Sequence, residues 1–234
     1  MTARPARLAD LAWPQIADRA ARTLLAVPMG ATEQHGPHLP FTVDTEIAAV
    51  LCDRLASARS DVVVAPPLAY GSSGEHAGFP GTLSIGQRAT ELVLVELVRS
   101  ADAFAGVVVV SGHGGNAEPL ARALARLRYE GRRVLGWSPS GPADDSHAGR
   151  TETSAMLALR PRAVRAEAMA AGNTRPLGDI AAALRESGVR AVSPGGVLGD
   201  PTGASAEQGH RLLDTWTERL VAATNAWHAQ TDPQ

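Results

Sequence analysis

Lysine is missing from this chain of 234 residues, in which all 22 basic residues are arginine. That absence excludes every mechanism that needs a lysine nucleophile or a lysine Schiff base. Cysteine occurs once, at Cys52, so no disulfide can form within the chain, which fits a reducing compartment. Cys52 falls in an apolar helical pattern, where we expect a buried thiol and not a nucleophile.

Long apolar runs and an excess of positive charge are absent as well. No apolar stretch approaches the roughly 18 residues of a membrane-spanning helix, and the first residues lack the apolar core of a signal peptide. The formal net charge is −2, which argues against nucleic acid or an anionic membrane as a partner. With 44% hydrophobic residues, the chain is predicted to be a single globular, cytoplasmic domain over residues 1–234.

The chain does contain an alternation of strand-like and helix-like segments. Four short runs are continuously apolar and end at Gly, Pro or Ser, which is typical of parallel strands covered on both faces. These runs are 23–30, 61–70, 106–115 and 132–139. Segments with the spacing of amphipathic helices lie at 44–59, 87–104, 116–130 and 151–160. The alternation predicts an α/β fold with a mostly parallel sheet, whose polar sites form at the carboxyl ends of the strands.

Two further segments complete this prediction. Residues 171–204 are rich in Gly and Pro, so loops are expected there. The last long pattern, 205–227, predicts a helix that opens with a capping box made by Ser205 and Gln208. Its apolar face is expected to contact the core or a second subunit.

The first polar cluster directly follows the run 23–30. Glu33 and His35 are two residues apart, a spacing that turns both side chains to the same side of extended backbone. Asp44 begins the next helix, where a helix-capping role would be the better interpretation if it stood alone. His38 lies between these groups and is expected to be structural or to support the side chains that bind a ligand.

The second cluster is a glycine-rich turn after the run of valines at 107–110. His113 is expected to project from the strand end into a crevice, followed by Gly114, Gly115 and Asn116. Glycines let the backbone approach a ligand closely. The turn is not a G-x-G-x-x-G motif and has no P-loop lysine, so nucleotide binding is not expected.

Two more clusters pair a carboxylate with an imidazole. Glu75 and His76 lie in a Gly/Ser-rich loop after the second apolar run. His147 and Glu152 are five residues apart, and Glu152 falls in the first turn of a helix, where the helix dipole also favours a carboxylate.

Five of the seven histidines thus lie in four loops that also hold carboxylates or glycines. A divalent metal is the positive group best able to gather such side chains, and a His and Asp/Glu set without Cys suits Zn²⁺, Mn²⁺ or Fe²⁺. The number of carboxylates predicts two metals, bridged by Asp44, that activate water and polarise a carbonyl. The chain has neither the G-x-S-x-G motif of a serine hydrolase nor the H-E-x-x-H motif of a zincin.

Five motifs in the same order resemble the creatininase (creatinine amidohydrolase) family over roughly residues 23–210. They read GATEQHGPHLPFTVDTEIA, GSSGEHAGFPGTLSIG, VVVVSGHGGN, DSHAGRTETSAML and GVLGDPTGASAEQG. The resemblance implies a three-layer α/β/α sandwich, a dinuclear metal site, hydrolysis of C–N amide bonds, and homo-oligomers that are often hexamers.

Carried over motif by motif, the resemblance assigns Glu33, Asp44 and His113 to one metal. It assigns His35 and the bridging Asp44 to the other, together with a further carboxylate. Members that hydrolyse creatinine carry a Glu at the position of Gly115, and in the branch with a GHGGN motif that ligand is supplied by Glu152. The departure argues against creatinine as the substrate.

Within the family, the start of the first motif, the GEHAGFPGT segment and the chain length are most similar to the mycofactocin branch. Its members remove a modified C-terminal Val-Tyr dipeptide from a precursor peptide. The alternatives are hydrolysis of a small cyclic amide or formamide, and a module that binds metal or ligand without catalysis.

Roles follow from this chemistry. His147 is the candidate proton shuttle to the leaving amine, with Glu152 beside it at the metals. Backbone N–H groups at Gly114 and Gly115 are candidates to stabilise an oxyanion. The remaining candidates for contact with substrate are Glu75, His76 and Asn116.

Overall fold

The computed structural model describes residues 5–230, and its centre is a parallel sheet of four strands. The strands are β1 (Leu24–Met29), β2 (Val62–Val64), β3 (Gly106–Ser111) and β4 (Val134–Trp137). Their order is β2-β1-β3-β4, and every pair is parallel. Nearly all of their residues are buried, because runs of Val and Leu suit a sheet that is covered on both faces.

Helices cover both faces of this sheet. They are α1 (Trp13–Ala17), α2 (Val43–Ala58), α3 (Gly86–Ser100), α4 (Ala117–Tyr129), α5 (Arg150–Leu159), α6 (Leu177–Val192) and α7 (Ala206–Ala229). Leu24 and Ala26 of β1 pack in one apolar cluster with α2, α5 and α7, whereas Leu25 and Val27 pack in another with α3 and α4. Successive strand residues therefore serve opposite layers, and the predicted three-layer α/β/α sandwich is confirmed.

The second strand is shorter than the sequence predicts. The apolar run 61–70 contributes only Val62–Val64 to the sheet. Pro66 and Pro67 follow, and neither has an N–H group to continue the ladder. Leu68 then returns to form a single parallel bridge with Met29.

The prediction of loops for 171–204 missed a helix. Pro176 and three glycines disguise α6, which is broken at Gly188. That residue has φ 74° and ψ 176°, a conformation that glycine adopts readily and other residues do not. A Cβ atom there would lie 2.8 Å from the carbonyl oxygen of Glu75, so the break also lets α6 approach the turn Gly74–His76.

The C-terminal helix α7 begins where predicted but has half of the predicted capping box. The Ser205 side chain accepts a hydrogen bond from the Gln208 N–H. The Gln208 amide oxygen instead accepts from Arg150 Nε at 2.7 Å. The apolar face of α7 is buried in the core through Leu213 and Leu220, so a subunit contact is not what covers it.

Two expectations from the missing residue types concern described parts of the fold. Cys52 is fully buried on α2, and burial raises the pKa of its thiol well above the ordinary value. It is therefore the buried hydrophobic residue that the sequence predicts. Among residues 5–230, no helix combines the length and the apolar character that crossing a membrane requires.

Candidate metal centre

Six side chains from separate loops converge at the carboxyl edge of the sheet. Glu33 and His35 lie in the loop after β1, and Asp44 lies in the first turn of α2. His113 follows β3, while His147 and Glu152 stand just before α5 and in its first turn. Glu33, His35 and Asp44 are each no more than 1% exposed, which is rare for carboxylates unless a partner of opposite charge is present.

The first group of possible ligands consists of Glu33, Asp44 and His113. One ligand atom from each lies within 4.8 Å of the others. His113 Nε2 is 3.2 Å from Glu33 Oε2, and His113 Nδ1 is 3.3 Å from Asp44 Oδ2. These are the three residues that the family resemblance assigns to one metal.

The second group consists of His35, Asp44 and Glu152, with the same limit of 4.8 Å. His35 Nε2 lies 3.1 Å from Asp44 Oδ1 and 3.7 Å from Glu152 Oε2. His35 Nδ1 is 3.1 Å from the Glu33 carbonyl oxygen, to which it donates, and this leaves Nε2 directed at the carboxylates. Asp44 thus contributes one oxygen to each group, as a bridging carboxylate would.

A third group joins His147 to Glu33 and His35. His147 Nε2 donates to the Gln34 carbonyl oxygen at 2.8 Å, so its Nδ1 lone pair faces Glu33 Oε1 at 3.6 Å. Burial, with His35 and His76 close by, holds the pKa of His147 well below its usual range. His147 is therefore neutral and has one free nitrogen at the carboxylates.

Gln34 organises these imidazoles, and sequence reasoning did not identify it. Its Nε2 lies 2.9 Å from His76 Nδ1 and donates to the Gly196 carbonyl oxygen at 3.0 Å. Its Oε1 accepts from the Gly36 N–H at 2.8 Å. The available signal was its position between Glu33 and His35, since a neutral amide by itself does not suggest metal chemistry.

Charges in this site are strongly coupled. Burial alone would raise the pKa of Glu33, but His113 and neighbouring imidazoles hold it well below the ordinary value. Burial opposes charge on His35 and His113, yet Asp44 and Glu33 respectively raise the pKa of each to about 10. Burial raises the pKa of Glu152 to about 7 and also raises that of Asp44. Without another cation, protons on the imidazoles balance the buried carboxylates.

The donor set fits divalent metal ions. Both carboxylate oxygens of Glu33 and the Oδ2 atom of Asp44 are buried without a hydrogen-bond donor. Such atoms are costly to bury unless a cation satisfies them. Mixed imidazole and carboxylate donors without thiolate match Zn²⁺, Fe²⁺ or Mn²⁺.

The backbone next to this site is strained in a way that positions Glu152. Ala148 has φ 52°, a left-handed conformation that costs a residue with a Cβ atom about 1 kcal/mol or more. In this conformation its N–H donates to Glu152 Oε2 at 2.6 Å. Nearby, His38 is buried and its Nε2 is 2.9 Å from the Thr153 hydroxyl, which agrees with a supporting role.

A cleft of about 830 Å³ opens above these groups. Glu75, His76, Gly114 and Gly115 line it, together with Glu33, His113 and His147 from the candidate metal centre. A Cβ atom on residue 115 would lie 2.3 Å from Glu75 Oε1 and from the Ser72 carbonyl oxygen, so a side chain does not fit at this position. The close packing gives a physical reason for the glycine that replaces the family's carboxylate.

Asn116 lies apart from this cleft. It is fully buried, its Oδ1 accepts from the Ser72 N–H at 2.9 Å, and its Nδ2 donates to the Gly30 carbonyl oxygen at 3.0 Å. The amide therefore ties together the loops that follow β1 and β2. Sequence reasoning also missed the opposite wall of the cleft, which α6 forms from Leu177 to Arg190.

Comparison with known proteins gives a consistent family. The family model of creatinine amidohydrolase matches residues 9–224. The mycofactocin precursor peptide peptidase of Mycolicibacterium smegmatis is 53% identical over 211 residues, which is 87% of this chain and 85% of that protein. The protein of the same name from Mycobacterium tuberculosis is 45% identical over 89% of this chain and 87% of its own length.

Solved structures show the same fold. A crystal structure of creatininase aligns with a TM-score of 0.80 at 28% identity, covering 99% of this chain and 100% of that one. A manganese form of creatininase aligns at 0.79 and 28% identity over 94% and 97%. A creatininase variant of the Zn-Zn type aligns at 0.77 and 26% identity, also over 94% and 97%.

Proposed function

The chain belongs to the creatininase family, and from this premise we propose that it is a metal-dependent peptidase. Its proposed reaction is hydrolysis of the amide bond that joins a modified C-terminal Val-Tyr dipeptide to the mycofactocin precursor peptide. The relatives of that name, at 45–53% identity over most of both chains, support the substrate. The buried carboxylates and imidazoles, with Asp44 shared between two groups, support the metal dependence.

The proposed metal centre contains two divalent cations, Zn²⁺ and/or Fe²⁺, with Mn²⁺ as a further candidate. Glu33, Asp44 and His113 would hold one, and His35, Asp44 and Glu152 would hold the other. When bound, these cations would supply Lewis acidity to the scissile carbonyl and to the water that attacks it. The opposite orientation of the two Asp44 oxygens is the observation that supports two ions instead of one.

The protein's own groups would manage the protons. Attack by water forms the new C–O bond, and breakage of the C–N bond requires a proton on the leaving nitrogen. His147 is suited to carry that proton, because it is neutral and its Nδ1 lone pair faces the site while Nε2–H is fixed on the Gln34 carbonyl oxygen. Gly114 and Gly115 begin a short 3-10 turn, whose first N–H groups have no acceptor within the turn and are available to an oxyanion.

The size of the cleft favours a peptide over a small cyclic amide. Its volume of about 830 Å³ lies at the upper end of the range for drug-sized ligands, roughly 300–1,000 Å³. Glu75 and His76 are proposed to contact the peptide from the wall next to the metal centre. Of the committed substrate contacts, Asn116 is proposed to act only by holding that wall in place.

We also propose a cytoplasmic homo-oligomer, possible as a hexamer in this family. The apolar face of α7 is not available for assembly because the core covers it. Large apolar side chains at Leu83 and Leu92 are instead more than half exposed in the single chain. Their exposure supports association through the side of the molecule that carries α3.

Turnover of the modified precursor peptide tests the proposed function. The protein is loaded separately with Zn²⁺, Fe²⁺ and Mn²⁺, and release of the modified Val-Tyr dipeptide is followed by mass spectrometry. Creatinine and a formamidopyrimidine serve as the small-amide alternatives. Dipeptide release without hydrolysis of the small amides is expected, and hydrolysis of a small amide alone would contradict the peptidase. Absence of any hydrolysis with every metal would instead favour a binding module.

A further inference from the structure

One face of α6 forms an apolar wall of the cleft. Leu177, Ala181 and Leu184 recur at spacings of four and three residues, and all three line the cleft. Leu177 is 43% exposed, which is unusual for a leucine unless something covers it during function. The metal chemistry makes no use of this wall, so we asked what it could bind.

Two arginines continue the same wall on either side of the break at Gly188. Arg190 is anchored, because it donates from Nη1 to the Gly78 carbonyl oxygen at 2.8 Å and lies 6.0 Å above the Phe79 ring. Arg185 lines the cleft and is exposed. Within residues 5–230, no carboxylate lies within ion-pairing distance of its guanidinium group.

The acidic residues of the cleft do not neutralise Arg185. Glu118 is paired with Arg122 at 2.6 Å. Glu75 faces His113, 3.8 Å from its Nε2 atom. Glu186 follows Arg185 directly, and consecutive side chains on a helix point in different directions. A guanidinium group thus stands unpaired beside an apolar stripe.

We propose that this wall is a substrate subsite in which Arg185 binds a carboxylate of the peptide. The stripe formed by Leu177, Ala181 and Leu184 receives an apolar side chain next to that carboxylate. The planar guanidinium group can donate two parallel hydrogen bonds to a carboxylate, which gives direction as well as affinity. This inference rests on the proposed peptidase function and adds the chemistry by which the peptide is recognised.

Binding of an uncleavable peptide tests the subsite directly. The probe is a synthetic C-terminal segment of the precursor whose scissile amide is replaced by a methyleneamine, and Kd is measured with the metal-loaded protein. Arg185→Met should raise Kd about 10-fold or more, since charge-assisted hydrogen bonds of this kind contribute factors of roughly 10–100. Arg185→Lys should lie between the wild type and Arg185→Met, because it keeps the charge and loses the fork.

Arg175→Met is the matched control. Arg175 is exposed in the loop before α6 and does not line the cleft, so its replacement should leave Kd unchanged. Equal Kd values for Arg185→Met, Arg175→Met and the wild type would overturn the proposal. A loss of affinity in both variants would also overturn it, because the effect would then reflect general charge.

Two modified probes identify the source of the carboxylate. In one, each Asp and Glu side chain of the peptide is replaced by its amide, and in the other the C-terminus is amidated. One of the two should weaken binding to the wild type and abolish the effect of Arg185→Met, which locates the carboxylate in a side chain or at the terminus. If neither probe does so, Arg185 does not bind a carboxylate.

The subsite and the proposed function can fail separately. Normal binding of the probe without hydrolysis of the parent peptide would contradict the peptidase function and leave the Arg185 result valid. Hydrolysis of the parent peptide with KM unaffected by Arg185→Met would contradict the subsite and leave the peptidase intact.

Discussion

At the scale of single residues, Asp44 best shows how chemistry and fold depend on each other. Its side chain is buried at the start of α2, where one oxygen approaches His35 and the other approaches His113. The helix start favours a carboxylate through the helix dipole. The same carboxylate is placed to join two ligand groups. Capping alone does not explain a fully buried Asp whose Oδ2 receives no hydrogen bond.

Gln34 should matter for activity although it carries no charge. Gln34→Leu removes the donor to His76 Nδ1 and to the Gly196 carbonyl oxygen. We expect kcat to fall about 10- to 100-fold, as is typical when a group that orients metal ligands is lost. Buried acceptors left without a donor should also lower the free energy of unfolding by about 1–3 kcal/mol. Steady-state kinetics and urea denaturation measure the two effects, and kcat within twofold of the wild type would contradict the role.

The strain at Ala148 gives a second prediction. Ala148→Val places a β-branched side chain at a buried position with φ 52°, and should lower the free energy of unfolding by about 2–3 kcal/mol. Metal affinity should fall too, since the Ala148 N–H holds Glu152. Ala148→Gly is the control, because glycine adopts this conformation freely, and its stability should stay within about 1 kcal/mol. Denaturant titration and metal binding of both variants would check this, and equal behaviour of the two would contradict it.

Residue types made much of the site predictable, and its supporting groups much less so. Glu33, His35 and His113 attract attention because buried carboxylates and imidazoles at strand ends need a cation. Gln34 and Ala148 escape notice because their contributions come from an amide orientation and a backbone angle. Neither feature leaves a mark in one sequence.

At the scale of elements, the strands were more predictable than the walls of the cleft. Continuous apolar runs identified all four strands of the described sheet, although Pro66 and Pro67 end β2 early. The helix α6 was hidden because its glycines suggest a loop when counted locally. Packing of α6 against the turn Gly74–His76 stabilises the helix despite Gly188, and a local pattern contains no record of that contact.

Glycines within α6 allow this explanation to be tested. Gly188→Ala should lower the free energy of unfolding by about 2 kcal/mol or more, since φ is 74° and a Cβ atom would press on the Glu75 carbonyl oxygen. Turnover should fall as well, because α6 and Glu75 form facing walls of the cleft. Gly178→Ala is the matched control on the same helix. Its Cβ atom would meet nothing within 4 Å, so stability should be unchanged or slightly higher. Thermal and urea unfolding measure both, and similar losses in the two variants would contradict the account.

At the scale of the whole molecule, four loops must arrive together before the site exists. The three-layer sandwich achieves this because parallel strands direct all their carboxyl ends to one edge. The centre then couples the fold to cation binding, since the buried carboxylates repel one another without positive charge. Metal loading should therefore raise the unfolding temperature, and chelation should lower it.

Proton release on metal binding follows from the same coupling. In the metal-free protein, neighbouring carboxylates raise the pKa of His35 and of His113 to about 10, so both are protonated at pH 7. An imidazole must lose that proton before it can bind a metal. Metal affinity should consequently rise as pH increases from 6 to 8. Calorimetry in buffers of different ionisation enthalpy counts the protons, and an affinity that does not change with pH would contradict protonated ligands.

The metal content of Asp44→Ala tests the central claim most directly. Elemental analysis of wild type and variant, purified without chelator and reconstituted with the same excess of Zn²⁺, gives the number of ions bound per chain. The shared carboxylate predicts two ions in the wild type, with both weakened and dipeptide release abolished in the variant. Two ions and full activity in Asp44→Ala, or a single ion in a fully active wild type, would contradict a centre built on that bridge.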